Sequence, residues 1–216
     1  MAENKDASTA ENCNPSASFR MTVAGIKKKF PRVENVSTST LSEWMNSCGV
    51  DEEQKAGASA RDVGKNRKLV LFDVRPLEEY NVSHLPSAIR LDPDVQDMEH
   101  VKSVIQEQVE KDGISRTGED YQPVTAVMYC SVGYRSSAMA GRVYKALCDQ
   151  RNNTSADNSL TDLKVYNLQG SIFQWANENK PLVDSSDQPT QYVHPYSRLW
   201  GLLIDKNRWK WADSKQ

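Results

Sequence analysis

A chain of 216 residues and 24.3 kDa suffices for one good-sized domain, or for one domain with tails. Apolar residues make up only 38%, which points to a polar tail or long polar loops around an ordinary core. The 27 basic and 29 acidic side chains nearly balance, no apolar run reaches membrane-span length, and Met1-Ala2-Glu3-Asn4-Lys5-Asp6 lacks a signal's apolar core, which argues against a nucleic-acid binder, a membrane protein and a disulfide-stapled secreted module.

Residues 1–18 are small, polar and aperiodic, the composition of a disordered segment. With the basic run Lys27-Lys28-Lys29 and Pro31 behind them, a polar N-terminal tail is expected over 1–32. Val33 and Val36 suggest a short strand. The cluster from Ser37 to Thr40 then offers caps for a helix through Leu41, Trp44 and Met45. Thr40 with Glu43 reads as a capping box, or the cap lies two residues earlier. Residues 51–68 read as a long loop with some helix.

The continuous apolar run Leu69-Val70-Leu71-Phe72, closed by Asp73, predicts a strand buried on both faces. Ser87 to Leu91 is a shorter strand candidate. Val95, Met98, Val101, Ile105 and Val109 form an amphipathic helical stripe. A polar loop over 111–122 leads to a second buried strand, Pro123 to Tyr129. Ser136 to Cys148 reads as a helix rich in small residues, and 151–159 as a loop. Leu163 to Leu168 is a strand, Gly170 a turn, and Ser171 to Asn179 a short helix ended by Pro181. Strands alternating with helices predict an α/β fold with a parallel sheet covered on both faces.

Cys13, Cys48, Cys130 and Cys148 stand far apart without a C-x-x-C pair, and His84, His100 and His194 are equally scattered. Local sequence therefore builds neither a zinc site nor a dithiol redox motif, and the chain reads as a cytoplasmic protein with reduced thiols. Chemistry concentrates at Cys130. There a cysteine closes a buried strand, a glycine-bearing loop of Ser131, Val132 and Gly133 follows, and a helix starts after Tyr134 and Arg135. In a parallel sheet this puts the sulfur at the carboxyl edge of the strands, where open α/β folds bind ligands. Loop N–H groups and the helix N-terminus favour an anion, hence the nucleophilic thiolate. Gly133 permits the tight wrap, Arg135 adds permanent positive charge, and Ser136 opens the helix.

Cys130-x-x-Gly133-x-Arg135-Ser136 resembles the active-site loop of single-domain rhodaneses, which are sulfurtransferases. Leu71-Phe72-Asp73-Val74-Arg75-Pro76-x-x-Glu79-Tyr80 resembles the family's Asp-Val-Arg element. His84-Leu85-Pro86-Ser87-Ala88-Ile89 resembles its His-Ile-Pro-Gly-Ala element, with Ser87 at the glycine. Tyr166 to Trp175 is similar to its C-terminal glycine-helix signature, and the order of the four stretches also agrees. The resemblance runs from about Val33 to Val183, so a domain over 33–184 and an aromatic C-terminal extension over 185–216 are expected.

What the resemblance implies is a five-stranded parallel sheet with helices on both faces and a persulfide mechanism. Cys130 would take the outer sulfur of thiosulfate or a persulfide and pass it to cyanide, a thiol or a sulfur-accepting protein. The loop from Ser131 through Val132, Gly133, Tyr134 and Arg135 to Ser136 would hold the substrate, with Arg135 on the anionic donor. No metal or organic cofactor, nucleic acid or membrane is implied. Asp73 and Arg75 are expected to support the site through buried charge pairing, and His84 to be structural. Relatives that use thiosulfate often carry a basic residue just after the cysteine; here Ser131 and Val132 stand there, so anion recognition falls to Arg135 and the backbone. Phosphatases and arsenate reductases of the same fold have a Cys-to-Arg loop one residue longer, and the shorter loop here favours sulfur over phosphoryl transfer. The other rival reading is a non-enzymatic module that docks on a partner protein, or a carrier that delivers sulfur to one. In the extension, Leu199 to Ile204 is expected to pack back on the domain as an arm, with an aromatic docking motif as the alternative.

Overall fold

The computed structural model describes residues 15–48, 68–111, 124–151 and 163–212. The two apolar runs form the centre of the sheet: β2 (Lys68–Asp73) pairs in parallel with β4 (Val124–Tyr129), from Lys68 opposite Val124 to Asp73 opposite Tyr129. With β1 (Glu34–Val36), β3 (Ile89–Arg90) and β5 (Lys164–Leu168), the strand order is β1-β5-β4-β2-β3, all parallel. This is the five-stranded α/β sheet expected.

Both faces are covered, which is why the central strands read as unbroken apolar runs. Alternate side chains enter opposite cores. Val70, Phe72, Ala126 and Met128 pack with Val101 and Ile105 of α4 (Met98–Lys111) and with Met139, Val143 and Leu147 of α5 (Tyr134–Arg151). Leu71, Val127 and Tyr129 face the other way. They meet Leu41 of α2 (Thr38–Cys48) and Ile172, Phe173 and Trp175 of α6 (Ser171–Asn177).

The N-terminal tail expected over 1–32 requires correction. Ala17–Lys29 is a helix, α1, whose Phe19, Val23 and Ile26 are buried in the α2–α6 core. Ser16 caps it, its Oγ accepting the Phe19 N–H at 3.2 Å. The spacing of those three apolar residues carries a helical face that the polar surroundings and the lysine run obscure. Smaller differences follow capping chemistry. Ser37, not Thr40 or Thr38, caps α2: its Oγ accepts the Thr40 N–H at 3.0 Å. α4 starts at Met98 because Asp97 Oδ1 takes the Glu99 and His100 N–H groups. A short helix, α3 (Leu77–Val82), follows Pro76 and had no counterpart in the periodicity. β3 is shorter than Ser87–Leu91, since Ser87 sits in the left-handed region at φ 61° and belongs to the turn. Most of the loops expected at 51–68, 111–122 and 151–159 lies outside the described residues, as does Cys13.

Beyond α6, β6 (Leu182–Val183) and β7 (Pro189–Thr190) form an antiparallel pair, followed by α7 (Arg198–Gly201) and a 3-10 turn at Lys206–Arg208. Val193 and Ile204 are buried in the α1–α6 core and Trp209 packs against it. The Trp209 ring closes over Gly201, where a Cβ would come within 2.6 Å of the indole, and its Nε1 donates to the Gly201 carbonyl at 3.1 Å. The C-terminal segment is therefore a packed arm, although Leu199 and Leu202 stay exposed. No described helix is long and apolar enough to cross a membrane.

Truncating a fully buried phenylalanine costs about 3–5 kcal/mol. Phe19→Ala should therefore lower the unfolding free energy by about 3 kcal/mol in a denaturant titration. A variant as stable as the parent would return α1 to the status of a tail.

Candidate active site

β4 delivers Cys130 to the carboxyl edge of the sheet, and α5 begins at Tyr134. The turn between them is pinned from α6. The Ile172 N–H donates to the Cys130 carbonyl at 3.2 Å and the Phe173 N–H to the Ser131 carbonyl at 3.1 Å. These first-turn N–H groups have no partner within their own helix, so the loop supplies one. Ser171 Oγ accepts the Cys130 N–H at 3.2 Å.

Gly133, at φ 111°, turns the chain so that its N–H donates to Cys130 Sγ at 3.2 Å. Ser136 Oγ lies 3.5 Å from the same sulfur and 2.6 Å from Asn167 Oδ1, and Asn167 Nδ2 in turn donates to Asn35 Oδ1 at 2.9 Å. A hydroxyl has one proton, so Ser136 serves Asn167 or the sulfur at any moment. Cys130, Ser131, Val132, Gly133 and Ser136 are buried; Tyr134 and Arg135 are the loop side chains that reach outward.

Arg135 does not stand as a free cation. Its Nη1 and Nη2 donate to Glu79 Oε1 and Oε2 at 2.8 and 3.0 Å, and Nη2 also reaches Ser131 Oγ at 2.9 Å. Ser131 closes the ring by donating to Glu79 Oε2 at 2.8 Å. Burial pushes the Glu79 carboxyl up, but the Arg135 bonds and the charge of Arg75 outweigh it and hold Glu79 below the usual carboxylate range. The same balance governs the thiol. Burial pushes Cys130 up, yet the Arg135 charge together with the donors from Ser136 and Gly133 brings it below an ordinary thiol.

Asp73 and Arg75 pair as expected at the end of β2. Arg75 Nε and Nη2 donate to Asp73 Oδ1 and Oδ2 at 2.7 and 2.6 Å, and Nη2 also donates to the Ser83 carbonyl at 2.6 Å. Both side chains are fully buried, and the Val74 N–H bonds the Tyr129 carbonyl, tying this turn to the strand that carries Cys130. His84 stacks on Tyr80 with ring centroids 3.9 Å apart and pairs through its backbone with Val183. That is a structural placement. Cys148 lies far along α5, partly exposed.

Glu79, Asn167 and Ser171 lie within the family-like stretches and Tyr196 within the aromatic extension, but local spacing assigns none of them a role at the site. Tyr196 lies with its ring 4.8 Å from the Arg135 guanidinium carbon, at φ 61°. Its N–H donates to His194 Nδ1 at 3.1 Å. Burial lowers the His194 pKa, which favours the neutral ring that can accept this bond. Among the described residues no group of histidine, cysteine, aspartate and glutamate side chains could hold a metal ion.

The sequence model of the rhodanese-like domain matches residues 58–178, more than half of the chain and the stretch containing Glu79, the Cys130 loop and Asn167. The chain belongs to the rhodanese-like domain family. No curated protein matches it. Among solved structures, this rhodanese-like protein is similar to a thiosulfate sulfurtransferase from Pseudomonas aeruginosa (11% identity, 86% of this chain and 26% of that chain covered, TM-score 0.45). It is also similar to a yeast protein tyrosine phosphatase of the rhodanese family (16%, 66% and 83%, 0.44) and to an As-Sb reductase from Leishmania major (12%, 74% and 92%, 0.45).

Removing one partner of a buried ion pair strands the other charge, at about 3–5 kcal/mol. Glu79→Ala should thus destabilise the domain by roughly 3 kcal/mol in chemical denaturation. A loss within the few tenths typical of a surface pair would mean that the Glu79–Arg135 contact is incidental.

Proposed function

We propose that this rhodanese-like domain is a cytoplasmic sulfurtransferase that carries sulfane sulfur on Cys130. The observation that carries the reading is the surrounding of the sulfur: a buried thiol that accepts the Gly133 N–H at 3.2 Å and lies 3.5 Å from the Ser136 hydroxyl, donors that with the Arg135 charge favour the thiolate. The Cys130 thiolate attacks the outer sulfur of thiosulfate. A bond forms from Sγ to that sulfur, the S–S bond of thiosulfate breaks, and its electron pair leaves with sulfite. The anionic persulfide stays within reach of the N–H groups that favoured the thiolate. Cyanide, a small thiol or a protein thiol then attacks the outer sulfur and restores the Cys130 thiolate. The result is two-step displacement with a covalent intermediate.

Phosphoryl transfer fits the geometry less well. It relies on cations free to meet the transferring group. Here both terminal nitrogens of Arg135 already face Glu79.

The wild-type protein treated with thiosulfate should gain the mass of one sulfur atom and release one equivalent of sulfite. Cyanide should then remove the sulfur as thiocyanate. Cys130→Ser should show neither step, while replacing Cys13, Cys48 and Cys148 together should leave both intact. Thiocyanate formation by Cys130→Ser, or aryl phosphate hydrolysis by a wild type that takes up no sulfur, would overturn the reading.

A further inference from the structure

A dianionic donor must approach a thiolate, and the charges around Cys130 do little to attract it. Asp73 and Glu79 balance Arg75 and Arg135, which leaves the thiolate's own negative charge uncompensated at the site. Arg135 is held by Glu79 and Ser131 while Tyr196 covers its face. Arg75 keeps one nitrogen, Nη1, without a partner, but the whole residue is buried beyond reach of an incoming anion.

A cation that is free and exposed comes from outside the family-matched stretch. Lys29, in the last turn of α1, places Nζ 4.9 Å from the centroid of the Tyr134 ring. Tyr134 is one of the loop's two outward-reaching side chains, and it is also held edge-on by Phe30, centroid to centroid 5.3 Å. The placement is anchored rather than casual, because Phe19, Val23 and Ile26 fix α1 in the core and Phe30 packs against it. Lys29 itself is exposed, and among the described residues no carboxylate pairs with it.

We propose that Lys29, held against Tyr134 by α1, is the residue that selects small dianionic sulfur donors at the Cys130 site. This rests on the sulfurtransferase reading and deepens it. The ammonium is exposed to water beside a side chain of the Cys130 loop, so its attraction scales with donor charge and is screened by salt. Being exposed, the side chain can be changed without disturbing the fold.

The test compares thiosulfate, a dianion, with methanethiosulfonate, a monoanion that presents the same outer sulfur. Coulomb attraction to the exposed ammonium predicts that Lys29→Ala lowers kcat/KM for thiosulfate about fivefold and for methanethiosulfonate about twofold, through KM. Lys29→Arg should restore both, and the difference should vanish at high salt. Equal losses for the two donors, or none, would overturn the proposal. If the wild type takes sulfur from neither donor, the sulfurtransferase reading fails, and alkylation of Cys130 decides the Lys29 claim separately. Lys29→Ala should then reduce the rate with iodoacetate relative to neutral iodoacetamide, followed on the Cys130 peptide by mass spectrometry. An unchanged ratio would contradict the proposal.

Discussion

A sulfur atom buried at a strand end can serve as a nucleophile only if its negative charge is cheaper to form inside the fold than burial alone allows. Everything around Cys130 answers that constraint. Burial works against the thiolate, and the Arg135 charge with the Gly133 and Ser136 donors works for it. Arg135 can do this only if something holds it in place, and Glu79 does so through both terminal nitrogens. Glu79 is buried as well, and tolerable there because Arg135, Ser131 and the Arg75 charge meet it. The ring is self-consistent: each buried charge is held by another member, and removing one strands the rest.

The topology explains how such a ring can be assembled. A parallel sheet brings the carboxyl ends of its strands to one edge. The turn after β2 supplies Arg75, α3 supplies Glu79 and the turn after β4 the Cys130 loop, and the start of α6 after β5 clamps that loop by its free N–H groups. The two ends of the chain then close on the same place. α1 brings Lys29 and Phe30 to Tyr134, and the C-terminal arm brings Tyr196 to Arg135. Both outward-reaching loop side chains are therefore contacted by segments outside the family match.

Much of this was readable from the sequence, and what was missed at the site shares one cause. The apolar runs at Leu69–Phe72 and Val124–Tyr129 predict central strands because a strand buried on both faces shows no alternation. The Cys130 loop is legible because its parts are contiguous. Glu79 gained no role because its partner Arg135 is 56 residues away, and Asn35 meets Asn167 across 132 residues. Local spacing carries no information about such pairs. Arg135 was expected to face the donor for the same reason: its charge was visible, its counter-charge was not. The missed α1 is different, since Phe19, Val23 and Ile26 do repeat helically but are outnumbered by polar neighbours.

The fold lowers the pKa of Cys130 through the Arg135 charge and the Ser136 and Gly133 donors, against the pull of burial. Because the folded thiol ionises at lower pH than the unfolded one, its ionisation adds stability that is fully present above the unfolded value and is lost as pH falls through the folded midpoint. The direct measurement is the rate of Cys130 alkylation by iodoacetamide across pH, read on its own peptide, in folded and in urea-unfolded protein. The folded midpoint should lie below that of the unfolded chain, about 8.5 for a free thiol. In the paired variant Glu79→Gln with Arg135→Met, which leaves no orphaned charge, the midpoint should rise. A folded midpoint at or above the unfolded one, or one indifferent to that double substitution, would contradict the account.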